Sequence, residues 1–173
     1  LAVYDTHTET WAVIPIDPRP VNNELVIQYA IYSNGSYYIF ASGLGVLRCA
    51  APQGPCTPMP MDSGRPLVQV TGLELGDNTL WASSHHGLFA MDMTTGAWEQ
   101  IADGYFHTMT LWDGVPWMYR STSGPPEILA VDPRTRTVTY SRPLAPHAPG
   151  FHPCGPLFST DRRLLSPTAN GFD

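Results

Sequence analysis

Residues 80–101 read LWASSHHGLFAMDMTTGAWEQI, and this stretch decides the fold. An aromatic and apolar run ends in Ser83-Ser84, passes through His85-His86, and resumes at Gly87 as a second apolar run that closes on Asp92. Met93-Thr94-Thr95-Gly96 then turns the chain into a third run opened by Trp98. Apolar runs of five or six residues bounded by turn residues are strands, and turns this short join neighbours that lie antiparallel. The stretch therefore predicts an antiparallel meander with no room for a helix.

Working outward, the same device recurs. Residues 3–13, 90–100 and 130–140 align without gaps: an apolar strand end, then Asp5, Asp92 or Asp132, a Thr-rich turn, and an aromatic or β-branched residue opening the next strand. The first two aspartates are 87 residues apart and the last two 40, so the longer interval holds two periods of roughly 43. A degenerate copy is expected near position 49, where Gly45-Val46-Leu47-Arg48-Cys49 parallels Gly87-Leu88-Phe89-Ala90-Met91. A second element precedes each copy at 34–42, 77–83 and 113–121: a turn, an aromatic-rich strand and a small polar exit. Strands are predicted at 25–32, 37–42, 67–73, 79–83, 87–92, 105–112, 116–121 and 128–132, with Asn34-Gly35 and Asp113-Gly114 as tight hairpin turns. About four short strands per period define a propeller blade. The fold class is all-β, a β-propeller of about four blades of four short antiparallel strands. Blade periods fall at 15–62, 63–103 and 104–143, with 1–14 and 144–173 as partial blades. Either the two partial blades close a small ring, or the chain is an excerpt of a larger propeller, the reading preferred here.

The segment YDTHTETWAVIPIDPRP, residues 4–20, resembles the outer half of a kelch repeat, with its Tyr-Asp pair, short turn, Trp and downstream Pro/Arg stretch. As a repeat pattern the resemblance covers roughly residues 1–143. Where kelch blades carry a glycine doublet, this chain has Ala41-Ser42-Gly43, Ala82-Ser83-Ser84 and Arg120-Ser121. The resemblance implies a propeller. Some kelch-like propellers are copper radical oxidases with Tyr, Cys and His ligands, but no residue-by-residue match to that site is found here.

Composition narrows the function classes. The 173 residues carry 9 Lys+Arg, all of them Arg, against 15 Asp+Glu, for a formal charge of −6. Nucleic acid is excluded as a partner, because affinity for a phosphate backbone comes largely from counterions released by Lys and Arg. A chain that is 43% hydrophobic and 14% charged can bury a core. No apolar run approaches the roughly 20 residues that span a bilayer as a helix, so no membrane span is expected. The opening Leu1-Ala2-Val3-Tyr4 reads as a mature or trimmed end. No Gly-rich phosphate loop, nucleophile elbow or CxxC pair is present, so neither a catalytic residue nor a cofactor is assigned.

The repeating aspartates occupy equivalent positions on different blades and cannot converge on one substrate atom; each is read as capping its own turn. His85 and His86 point in opposite directions from one turn, and even with His107 or His152 they lack the three or four converging ligands of a metal centre, so no metal is assigned. Cys49 and Cys56 flank a Pro/Gly-rich turn and either form a disulfide or remain free buried thiols; Cys154 is left over. Asn34-Gly35-Ser36 is an N-glycosylation sequon. Together these features lean toward an extracellular or luminal setting. The leading function is a non-catalytic scaffold that binds another protein chain through loops on one face: Leu44, His85, His86, Ser123, Gly124 and Pro125, all between second and third strands. The alternative is a secreted propeller enzyme, or a carbohydrate-binding module, with its site near the central channel.

Overall fold

The structure is a computed structural model and describes residues 2–5, 9–13, 27–41, 44–51, 54–59, 69–121, 125–143, 158–159, 164–165, 167–168 and 171–172. Among these every regular element is a strand. The chain divides into two compact units, Leu1–Pro66 and Leu67–Asp173.

In the first unit, β1 (Ala2–Asp5) and β2 (Thr10–Val13) form an antiparallel pair. A four-stranded antiparallel sheet follows, ordered β3 (Ile27–Ser33), β4 (Ser36–Ala41), β5 (Gly45–Ala50) and β6 (Cys56–Pro58). Asn34 and Gly35 take φ of 49° and 71°, the left-handed pair that a two-residue hairpin matched to strand twist requires. Ile39, Ala41, Leu47 and Cys49 form its core, with Ile27, Tyr37, Leu44 and Cys56 packed against them. Cys49 and Cys56 are register partners and form a disulfide, which settles the two alternatives left open by the sequence. The bridge fastens a three-residue outer strand that has few ladder hydrogen bonds of its own.

The second unit holds two four-stranded meanders. The first consists of β7 (Val70–Gly76), β8 (Thr79–Ser84), β9 (Gly87–Asp92) and β10 (Trp98–Ala102). The second consists of β11 (Tyr105–Trp112), β12 (Val115–Ser121), β13 (Glu127–Asp132) and β14 (Thr137–Pro143). Beyond them are two short pairs, β15 (Phe158–Ser159) with β16 (Leu164–Leu165) and β17 (Pro167–Thr168) with β18 (Gly171–Phe172).

The two meanders stack face to face over one core. Trp81, Leu88 and Ala90 come from the first, and Phe106, Met109, Met118, Leu129 and Val131 from the second. First strand lies against first strand, and fourth against fourth. The close approach of β7 and β11 depends on glycine: a Cβ on Gly72 would stand 3.0 Å from the Met109 backbone nitrogen, and one on Gly76 would stand 2.9 Å from Leu111 Cδ1. Thr71 Oγ1 donates to the Phe106 carbonyl at 2.8 Å. At the outer edge, Arg136 Nη1 donates to Glu99 Oε2 at 2.9 Å. Adjacent meanders stacked with innermost strand against innermost strand are the packing of propeller blades.

The turn aspartates behave as their repeat positions suggest. Asp92 Oδ1 accepts from the backbone N–H of Thr94 at 2.7 Å and of Thr95 at 3.1 Å. Asp132 Oδ1 accepts from Arg134 at 2.7 Å and Thr135 at 3.2 Å. These hydrogen bonds hold both carboxyls below the usual range. The turn after Asp5 lies outside the described residues.

The predicted strand at 67–73 lies instead at Val70–Gly76. Asp77 and Asn78 both take positive φ, 45° and 62°, and form the hairpin turn, so the strand runs up to Gly76. Gly76, at the end of this strand, makes room for Leu111.

Glu74 lies between these glycines and opposite Trp81 in the ladder. Burial pushes its carboxyl up to about 7. A carboxyl raised on folding stabilises the protein below its unfolded pKa, and that contribution is lost as pH rises from about 4.3 toward 7. Glu74→Gln is therefore expected to leave urea stability unchanged at pH 4 and to raise it by about 2 kcal/mol at pH 8, after allowance for solvent screening. Parallel stability curves at the two pH values would contradict the assignment.

Candidate binding rim

In the second unit, one end of the two stacked meanders carries a group of polar side chains. It is built by the β8–β9 turn, the starts of β7 and β11, and the end of β12. Register places them together: Val70 is opposite Ser84, Ser84 is opposite Gly87, and Tyr105 is opposite Ser121. The Thr71–Phe106 hydrogen bond joins the two sheets just behind this edge.

The turn itself is rigidly held. Ser84 Oγ donates to the Gly87 carbonyl at 3.1 Å and accepts from the His86 backbone N–H at 3.0 Å. Gly87, at φ 156°, has no space for a side chain, since a Cβ would stand 2.8 Å from the Ala102 carbonyl oxygen. Gln100 Nε2 donates to the His86 carbonyl at 3.2 Å and to Asp103 Oδ1 at 2.7 Å.

On this base the rings are ordered. His85 Nδ1 is 2.6 Å from Gln69 Oε1, and Gln69 sits in the left-handed region at φ 54°. The imidazole stacks on Tyr105 with centroids 4.0 Å apart and planes 21° from parallel. Tyr105 meets His107 edge-on at 4.7 Å, and His107 Nε2 lies 2.6 Å from Ser121 Oγ. Tyr105 is 39% exposed. Desolvation, then the neighbouring His86 charge, lower the His85 pKa and favour its neutral imidazole. With Nδ1–H donated to Gln69, Nε2 of His85 is an acceptor.

The adjoining charges are engaged. Arg120 pairs with Glu127, with Nη2 to Oε1 at 2.5 Å and Nε to Oε1 at 2.8 Å. Ser141 Oγ donates to the second carboxylate oxygen. Burial alone would raise the Glu127 pKa; the Ser141 and Arg120 hydrogen bonds and the Arg120 charge outweigh it and bring it below the usual value.

The sequence candidates divide accordingly. His85 and His86 lie on the rim. Pro125 is exposed just before β13. Ser123 and Gly124 lie outside the described residues. Leu44 belongs to the first unit and packs against its core rather than facing outward. Asn34 is exposed at its hairpin tip, open to modification. No group of three or more His, Cys, Asp or Glu able to hold a metal occurs among the described residues. Sequence reasoning did not assign Gln69, Tyr105 or Ser121 to the rim. The available signal was topological: in a meander, the start of the first strand lies at the same end as the turn between the second and third.

No family model matches the chain, and no curated protein matches it either. Solved structures do. The computationally designed protein Ika4 aligns with a TM-score of 0.65 at 14% identity, over 94% of this chain and 95% of its own. The extracellular domain of BT4673, assigned to the one-component systems of B. thetaiotaomicron, aligns with a TM-score of 0.66 at 14% identity over 99% of this chain. That of BT3049, a hybrid two-component system of the same organism, gives 0.58 at 16% over 98%. The chain spans 24% and 23% of those two extracellular domains. At such identities the likeness is one of fold. The kelch resemblance stays one of repeat pattern. Among the described residues no helix is long and apolar enough to cross a membrane.

Proposed function

We propose that this chain is a non-catalytic, extracellular binding domain that engages its partner through the rim formed by the β8–β9 turn and the starts of β7 and β11. One observation carries the reading: five side chains from four separate segments, Gln69, His85, Tyr105, His107 and Ser121, form one hydrogen-bonded and ring-stacked group, with Gln69 and Tyr105 exposed and the other three half-buried. A contact surface gains from having its side chains ordered before the partner arrives, and here two imidazoles are ordered around an exposed phenol. The Cys49–Cys56 disulfide supports an oxidising compartment. The extracellular origin of two fold neighbours points the same way.

The test is NMR on the labelled chain, titrated with a peptide library and with oligosaccharides. Shifts should concentrate at residues 69, 84–87, 105–107 and 121, and the probes should be recovered unchanged. Shifts confined to the outer strand β14 or to the Asp92 and Asp132 turns would overturn the assignment, as would chemical turnover of a probe.

A further inference from the structure

We infer that the Gln69–His85–Tyr105–His107–Ser121 rim is a binding site for a neutral saccharide. This rests on the rim reading above and adds the chemical class of the ligand.

The argument starts from what the site offers. None of its five side chains is a carboxylate, an ammonium or a guanidinium, and four of them are joined by hydrogen bonds in two pairs, His85 to Gln69 and His107 to Ser121. His85 Nδ1 is committed to Gln69 Oε1, which makes Nε2 an acceptor; the exposed Tyr105 phenol both donates and accepts. Ser121 Oγ lies 2.6 Å from His107 Nε2, and a hydroxyl can both donate and accept. Donors and acceptors alternating over a few ångströms match vicinal hydroxyls, which are themselves both donor and acceptor. The stacked His85–Tyr105 pair supplies ring surface for the C–H face of a sugar ring, and its order is fixed before binding, so little side-chain entropy remains to be lost.

Other ligand classes fit less well. An anion would need a cation, but Arg120 is spent on Glu127, and the chain as a whole is acidic. A cationic ligand would rely on Asp103, which already accepts from Gln100. A protein partner binds most strongly through a central apolar anchor in a desolvated pocket. Phe106 and Leu88, the chain neighbours of Tyr105 and Gly87, are fully buried in the core and cannot serve as one.

The experiment is calorimetric titration of the intact chain at pH 7.5 with neutral β-1,4-glucan, β-1,4-xylan, α-1,4-glucan and α-mannan oligomers. Matched uronic-acid oligomers and the peptide library serve as comparators. At least one neutral oligomer should bind. Tyr105→Ala should weaken it tenfold or more, Tyr105→Phe and His85→Phe by several-fold, and Thr135→Ala on the far turn should leave it unchanged. The two phenylalanine variants keep ring packing and so remain informative if the alanine variant fails to fold. Binding of no saccharide, or neutral-saccharide binding that survives these changes, overturns the inference. Binding only of uronic-acid oligomers or peptides at this rim also overturns it, while leaving the rim assignment standing.

Discussion

Trp81→Ala is expected to lower the unfolding free energy by about 4 kcal/mol. Trp81 is fully buried and is the largest side chain in the core shared by the two stacked meanders of the second unit. Truncation removes its burial energy and leaves a cavity between two sheets that already meet closely, backbone to backbone at Gly72 and at the Leu111 side chain over Gly76, so collapse around the gap is limited. The indole Nε1 has no hydrogen-bond partner among the described residues. Trp81→Phe therefore breaks no polar contact and should cost only the lost volume, about 1–2 kcal/mol. Equilibrium urea denaturation of both variants measures the difference. A loss below about 1 kcal/mol for the alanine variant would mean that the sheets do not share this core.

The second large effect is expected at Glu127. Its carboxylate bridges β12, β13 and β14 by accepting from Arg120 on one oxygen and Ser141 on the other. Glu127→Ala strands a guanidinium that is mostly covered, and should cost about 3 kcal/mol, the low end for a broken buried pair because Arg120 keeps some solvent. Glu127→Gln keeps one acceptor oxygen, for Arg120, and replaces the other with an amide N–H that the Ser141 hydroxyl can accept, but loses the charge, and should cost about 1 kcal/mol. The sign of the pH dependence follows from the lowered pKa: the stabilisation is present above the unfolded glutamate value and is lost as pH falls through the folded one. The wild type should therefore approach the glutamine variant in acid. If the gap between them stays constant from neutral to acid, the charge on Glu127 contributes nothing.

Much of this fold is legible in sequence because each turn carries its own chemistry. Asn34-Gly35 and the capping Asp92 and Asp132 specify their turns through local backbone bonds, and β9 and β11 fall where the apolar runs place them. The short strand β6 is less legible, since three residues carry no alternation and its anchor is the disulfide of its first residue, Cys56, to Cys49. The rim was half visible. His85-His86 stands out as an unusual polar pair in a turn, but its partners Gln69 and Tyr105 lie 16 and 20 residues away in sequence; β7–β8 pairing brings in the first, and the stacking of one meander on the next brings in the second. Conversely Leu44, which occupies the equivalent turn one repeat earlier, is drawn into its sheet's core because an apolar side chain there gains more from burial than from exposure.

The Cys49–Cys56 bridge also bears on how the chain reaches its oxidised state. In an unfolded chain the chance that two thiols meet falls as the −3/2 power of the loop between them. Cys49 and Cys56 are separated by 7 residues, whereas Cys154 is roughly a hundred residues from either, so the native pair should meet about fiftyfold more often than a wrong one. Oxidation of the unfolded chain would then select the correct partner before any sheet has formed. Maturation would need an oxidant but little reshuffling, with Cys154 rarely trapped in a mispaired intermediate.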